Sequence, residues 1–324
     1  MQSNRLTLIV TTIQRPEAAK RFLDSVRGCL PELPIILSEQ ADEHQLVEFC
    51  AERGIRHLAL EFDSGLGHAR NAMIDLVETD FFILTDDDYL FPERPDFDFC
   101  TRFLDARREF VCVLGLICDQ HPSGDGYVYR AHDRIKNMCR DDTGGALVLI
   151  PRTFMPPPDI VFEGEELQRC DFGPNWGVFR RSFFVDNDVR WDERFKIGGG
   201  EHFDFFLQMK FHPARPGIAY WPKLRCDHMR GAAESYAQLR WRLNWRDEFR
   251  AKWGLQYRYD VDQVHNLEVF GGDLPGFEKW QTPPRLPAVL KLEQQLQQSH
   301  DINEDLSRRI AALQERLANL ERTP

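Results

Sequence analysis

The chain has 324 residues, 42% of them hydrophobic and 29% charged, with a formal net charge of −11. That length accommodates one large α/β domain with appendages, and the composition is that of a globular protein. The excess of acid argues against a general binder of nucleic acid or of an anionic membrane, because both partners carry the same sign of charge. No apolar run approaches the length of a bilayer span.

The elements read in order as alternating strands and helices. Leu6–Val10 is a short apolar strand, too brief for a secretory h-region with its cleavage site. Pro16 suits a helix start, and Ala18, Phe22 and Val26 follow at helical spacing. A strand at Pro34–Leu37, a helical pattern around Leu46, Val47 and Cys50, and a strand at Ile55–Leu60 come next. Gly65–Val77 is amphipathic, with Ala69, Ala72, Met73 and Leu76 recurring, and the apolar strand Asp80–Thr85 runs into Asp86, Asp87 and Asp88. This alternation predicts an α/β fold with a mostly parallel central sheet, helices on both faces, and a ligand site beyond the carboxyl ends of the strands. The stretch from Pro92 to Asp227 is rich in Pro, Gly and aromatics and is expected to be less regular, shaping an acceptor site.

Leu239–Trp253 reads as a helix with Trp241, Trp245, Phe249 and Trp253 at i, i+4 spacing among arginines. A core-facing stripe with solvated charges is the expected reading; a face lying on a membrane that holds a lipid-linked acceptor is the other. Residues 271–287 contain Gly272, Pro275, Gly276, Pro283 and Pro284 and suit a linker or wrap. Residues 288–322 carry heptads: Val289, Leu296, Asn303, Ile310 and Leu317 take one core position, and Leu292, Ser299, Leu306, Leu313 and Leu320 the other. The expectation is a coiled coil, leaning to a parallel dimer because a core Asn pairs with its mate across a dimer axis. A domain of residues 1–270 precedes it. The eight cysteines form no CxxC pair and are expected to be reduced, mostly buried thiols. A reducing, cytoplasmic location follows, with any membrane contact peripheral.

Three groups of residues suit chemistry. Carboxylates packed as closely as Asp86-Asp87-Asp88 repel one another and favour a bound cation, and hard divalent ions take such oxygens while bridging to phosphate. Gly65-Leu66-Gly67 opens a helix that carries Arg70 and Asn71, donors suited to phosphate or ribose. Thr11, Thr12 and Arg15 close the first strand with hydroxyls and a guanidinium, a plausible nucleotide edge.

A first strand ending in Thr-Thr-x-x-Arg-Pro, then Gly-Leu-x-x-Ala-Arg-Asn, then Thr-Asp-Asp-Asp resembles the GT-A (Rossmann-like) fold of glycosyltransferase family 2, nearest its β-1,4-N-acetylgalactosaminyltransferase-like branch. The similarity covers about Leu6 to His228. It implies that Asp86 and Asp88 engage Mn²⁺ or Mg²⁺ on a UDP-sugar, with Asp87 beside them. It also implies that Thr11, Arg15 and Glu39 form the nucleoside wall, where family members usually carry Asp in place of Glu39. Asn175-Trp176-Gly177 resembles the segment framing sugar and acceptor, which makes Trp176 a candidate contact. Gly198-Gly199-Gly200-Glu201-His202-Phe203-Asp204 resembles the helix that carries the general base. Many relatives have Asp where His202 stands; the suspected branch places the acid at Asp204. Asp204 is therefore ranked first as base, Glu201 second, and His202 remains able to serve. His228, late in the chain, matches the His that completes the metal site in many GT-A enzymes.

The implied reaction is a single displacement with inversion, moving an N-acetylhexosamine or hexose from a UDP-sugar to a hydroxyl of a glycan or lipid-linked acceptor. A nucleotidyltransferase would also use strand-end carboxylates and a metal, but Gln14-Arg15-Pro16 lacks the glycines of a triphosphate loop. A sugar-binding scaffold working through its coiled coil is the non-enzymatic alternative.

Overall fold

The structure is a computed structural model that describes residues 3–123, 126–132, 134–140, 145–152, 155–196, 200–229, 245–255, 257–260 and 263–269. The linker 271–287, the heptads 288–322, Gly198, Gly199 and Trp241 lie outside the described residues.

The first half follows the expected alternation: β1 (Leu6–Ile13), α1 (Pro16–Cys29), β2 (Ile35–Gln40), α2 (Val47–Glu52), β3 (Arg56–Leu60), α3 (Leu66–Leu76) and β4 (Phe81–Asp86). These strands pair in parallel in the order β4-β1-β2-β3. Their near-continuous apolar runs suit strands covered on both faces, and β1 is buried along all of its length. Pro16 takes the first turn of α1, where its missing N–H costs nothing.

Beyond β4 come β5 (Tyr89–Leu90), α4 (Phe97–Ala106), β6 (Phe110–Ser123), β7 (Gly126–His132), β8 (Lys136–Arg140), β9 (Ala146–Pro151), β10 (Ile160–Phe162), β11 (Glu165–Cys170) and β12 (Gly177–Arg180). Then follow α5 (Arg181–Asp186), α6 (Glu201–Lys210), β13 (Gly217–Met229), α7 (Trp245–Trp253), β14 (Tyr257–Asp260) and β15 (Gln263–Val269). The segment expected to be irregular is thus largely strand. The main sheet runs β10-β11-β13-β6-β12-β4-β1-β2-β3, with β5 on β13 and β7 on β6. It is mixed rather than mostly parallel: β12 lies antiparallel between β4 and β6, while β6 and β13 run parallel. A second sheet, β15-β14-β9-β8, carries the rest. Strands of mixed direction that are not spaced by regular helices lack the period that marks a βαβ unit, which is why this half does not read as a sheet from its sequence.

Two apolar cores cover the faces of the sheet. One includes Phe22, Phe91, Phe97, Phe103 and Trp176, and the other Phe82, Phe179, Phe184, Trp191 and Phe205. α7 buries Phe249 completely and packs Trp245 and Trp253 against the second core. In its described part, the aromatic stripe is therefore core-facing. All eight cysteines are free. Among the described residues, no helix is long and apolar enough to cross a membrane.

Where β6, β12 and β13 meet, the backbone approach leaves no room for a side chain. A Cβ on Gly115 would overlap the Leu224 carbonyl and the indole nitrogen of Trp176. The same indole donates to that carbonyl at 3.0 Å. Gly115→Ala is expected to lower the stability measured by urea unfolding by about 1–3 kcal/mol, through overpacking. An unchanged urea midpoint would show that this junction has slack.

Candidate active site

The parallel register places Thr11 beside Asp86, so the ends of β1 and β4 open onto one place. Asp87 points inward and is fully buried. It accepts from the Thr12 hydroxyl at 2.6 Å and from Arg15, whose other terminal nitrogen reaches Asp88 at 2.8 Å. Burial pushes the Asp87 carboxyl up, against the pull of Arg15. Burial works on Asp88 in the same direction, but His228 and Arg15 outweigh it and hold that carboxyl below its usual range.

Asp86 faces the other way. It accepts from Arg70 at 2.9 Å, from the Tyr89 hydroxyl at 3.2 Å and from the Asn175 amide at 3.5 Å. Arg70 itself is fully buried, and its Nε and Nη1 have no hydrogen-bond partner among the described residues. Two orphaned cationic donors beside a carboxylate suit a ligand rich in anionic oxygen.

His228 enters from β13. Its Nε2 lies 3.5 Å from Asp88, and its Nδ1 lies 2.7 Å from Asp119 on β6, the residue paired with His228 in the sheet. Arg134 closes the chain by donating to Asp119 at 3.2 Å. Burial alone would lower the imidazole's pKa; the two carboxylates outweigh it and raise it. A carboxylate on one imidazole nitrogen, fixing the other toward a cation position, is the arrangement common around metal-ligating histidines. His228 and Asp88 thus stand together, while Asp86 is turned to Arg70, Tyr89 and Asn175 and does not close with them into a metal-sized group. Asp119, Arg134 and Tyr89 were missed by sequence reading. Asp119 sits inside an apolar strand, and only the pairing of β6 with β13 reveals its role.

The three base candidates sit differently. Glu201 is buried at the first position of α6, behind Gly200, whose φ of 73° suits glycine. His202 lies 2.6 Å from the Gly173 carbonyl through Nε2, which must therefore donate, leaving Nδ1 as the lone-pair nitrogen with no partner among the described residues. Burial, followed by the charge of Arg70, pushes its pKa down to about 3. Asp204 has no exposed surface. Its Oδ1 accepts from Trp253 at 2.8 Å and pairs with Lys252 at 2.7 Å, and its Oδ2 accepts from Gln208 at 2.7 Å. Burial raises its pKa against these donors. Lys252 also reaches Asp192 at 2.8 Å, so Asp204 ties α6 to α7 and to the loop before it.

Other candidates support the site from behind. Trp176 is fully buried, with its ring against Tyr89, Phe91 and Phe97, so it lies beneath the site rather than along it. Asn71 exchanges hydrogen bonds with the Trp191 backbone and reaches Glu193 at 3.0 Å. Gly67 lets α3 approach that loop, since a Cβ there would sit 3.1 Å from that of Trp191. The buried Thr11 hydroxyl accepts from Gln40 at 3.3 Å. Glu39 accepts from the backbone of Gln45 at 2.9 Å and of Leu46 at 3.2 Å, and meets His57 at 2.8 Å. A cavity of ≈ 330 Å³ lies between these groups, lined by Thr12, Gln14, Arg15, Glu39, Gln45 and Phe62 among others.

Comparison with known proteins gives a consistent picture. The family model described as Glycosyl transferase family 2 matches residues 7–183. Beta-1,4 N-acetylgalactosaminyltransferase 2 of Mus musculus is 25% identical over 192 residues, covering 56% of this chain and 36% of the relative. The chain therefore spans little more than a third of that relative's length. GalNAc-T7 with UDP, GalNAc and Mn²⁺ aligns with a TM-score of 0.54 at 14% identity, covering 92% of this chain and 57% of its own. TarS 1-349 of S. aureus aligns at 0.49 and 15% identity, covering 69% and 60%. The α/β mixed sheet is consistent with the GT-A glycosyltransferase fold.

Asp204→Asn replaces a buried anion facing two N–H donors and a cation with a neutral amide. Urea unfolding is expected to show a loss of about 2–4 kcal/mol, moderated because Lys252 is partly exposed. Wild-type stability in this variant would mean that the tie between α6 and α7 contributes nothing.

Proposed function

Since the chain belongs to glycosyl transferase family 2, we propose that it moves a sugar from a UDP-sugar to a hydroxyl of a glycan or lipid-linked acceptor, with inversion and with a divalent ion held by Asp86, Asp88 and His228. The observation that carries this reading is the Asp88–His228–Asp119 alignment beside the two orphaned donors of Arg70. That a protein of similar fold holds UDP, GalNAc and Mn²⁺ supports both donor class and ion. The relative's printed activity supports an N-acetylhexosamine, with a hexose as the neighbouring choice.

Asp88 and the oriented imidazole of His228 are donors suited to Mn²⁺ or Mg²⁺ on a diphosphate, and Asp86 would join them. Such an ion, when bound, offsets the charge that develops on the departing nucleotide. Asp119 accepts the Nδ1 proton of His228 and so keeps Nε2 available. Arg70 offers Nε and Nη1 to phosphate oxygens, while Thr12 and Arg15 hold Asp87 and Asp88 in place. The cavity beside Thr12 and Arg15 receives the nucleoside, with Thr11 and Gln40 behind it. Glu201 takes the proton from the acceptor hydroxyl as it attacks. We assign this role to Glu201, which opens α6 and keeps some exposed surface, ahead of Asp204, which has none, and ahead of His202, whose low pKa makes it a weak proton acceptor.

The test is nucleotide release from a panel of UDP-sugars in Mn²⁺, with and without acceptor. Asp88→Ala should abolish turnover while the fold survives. Glu201→Gln should keep UDP affinity and lower kcat by about 10²–10⁴-fold. Turnover in Asp88→Ala would remove the ion from this site; an active Glu201→Gln beside an inactive His202→Ala would move the base.

We further propose that residues 1–270 form the catalytic domain, 271–287 a linker, and the heptads of 288–322 a parallel dimer. Light scattering should give a dimer for the full chain and an active monomer after truncation at Pro284. A full-length monomer would remove the tail from assembly.

A further inference from the structure

Glu39 stands at the end of β2. His57 lies on β3, where it pairs with Leu37, two residues before Glu39 and hence on the same face of the sheet. His44 belongs to the loop that follows β2. Their donor atoms all lie within 4.8 Å of one another, and among the described residues no other trio of ligating side chains is so placed. Glu39 Oε2 is 2.8 Å from His57 Nε2 and 3.8 Å from His44 Nδ1. Tetrahedral zinc with bonds of about 2.0–2.2 Å sets its ligand atoms about 3.4 Å apart, a value these two separations straddle.

The second observation concerns His44. Its Nδ1 is shielded from solvent and has no hydrogen-bond partner among the described residues, although it faces a carboxylate. A buried unsatisfied nitrogen aimed at a charged oxygen has the geometry of a ligand set without its ion. Glu39 Oε1 accepts from the Gln45 N–H, the kind of outer contact that orients a ligating carboxylate.

From this geometry we propose that Glu39, His44 and His57 bind a transition metal of the zinc type, at a site separate from the Asp86–Asp88–His228 group. Two imidazoles and one carboxylate suit zinc and its neighbours and do not suit Mg²⁺ or Ca²⁺, which take oxygen. On binding, His57 takes the tautomer protonated on Nδ1, which frees the Nε2 lone pair, and the Glu39–His57 hydrogen bond is replaced by two metal bonds; one divalent ion enters and no proton is lost from the neutral imidazole. His44 is partly exposed, so the fourth position belongs to water. The metal would tie the loop 41–46 to β2 and β3 along the rim of the cavity beside Thr12 and Arg15. Glu39, the residue expected to face the nucleoside, would serve as a ligand instead.

The test uses tag-free full-length protein and Co²⁺ as a visible stand-in for Zn²⁺. One equivalent of Co²⁺ should give tetrahedral-type absorption that Zn²⁺ displaces, and Zn²⁺ should raise the thermal midpoint. His57→Gln and His44→Ala should each weaken Co²⁺ binding by more than about tenfold. Asp88→Ala should leave the signal intact, which separates this site from the other. If His57→Gln fails to fold, the loop residue His44 carries the result alone. An absent Co²⁺ signal, one unchanged in His44→Ala, or one lost only in Asp88→Ala would overturn the proposal.

Discussion

Three consecutive carboxylates at the mouth of a buried strand repel one another, and the surrounding structure is arranged to compensate them. Asp86, Asp87 and Asp88 are held by cations and donors from separate elements: Arg15 and Thr12 from the end of β1, Arg70 from α3, and His228 from β13. In a low-dielectric setting each uncompensated carboxylate would be costly, so these contacts are a condition of folding as much as of chemistry. Arg70 illustrates the coupling. It is fully buried, uses one nitrogen on Asp86, stands over the Trp191 ring, and keeps two donors without a hydrogen-bond partner among the described residues.

The sheet order follows from the need to bring these elements together. His228 reaches Asp88 because β13 pairs with β5 and sets it opposite Tyr89, while the pairing of β13 with β6 brings Asp119 to the other imidazole nitrogen; β6 in turn joins β4 through the antiparallel β12. Gly115 and Trp176 form that junction, where the indole donates to Leu224 and leaves no volume for a Cβ. The aromatic ring set of Tyr89, Phe91, Phe97 and Trp176 then acts as a rigid floor, with Tyr89 also bonding Asp86 from below. Trp176, whose motif resembles the segment that frames the sugar, is therefore part of the support.

The opposite wall depends on α6 and α7. Asp204, Lys252, Asp192 and Trp253 form a buried ionic tie that orients the start of α6, where Glu201 sits. Two acids one helical turn apart thus sit in different surroundings: Asp204 has no exposed surface, while Glu201 opens the helix. On the far side, Glu39 lines the cavity and at the same time meets His57 and the loop after β2.

Much was legible from residues alone. The parallel β4-β1-β2-β3 half announces itself through continuous apolar strands alternating with amphipathic helices, and Asp86 to Asp88 mark its functional end, because these signals are local and periodic. The family followed from the joint order of Thr11-Thr12, Arg70-Asn71 and Asp86-Asp87-Asp88, and the family model that matches residues 7–183 agrees. The mixed half was not legible, since its strands pair with partners far away in sequence, as β6 does with β13. Nor were Asp119 and Arg134, the burial of Trp176, the ionic tie of Asp204, or the meeting of Glu39 with His44 and His57. Each depends on which distant side chain occupies the next few ångströms, and hydrogen-bond and charge partners at that range are decided only when the sheet closes in three dimensions.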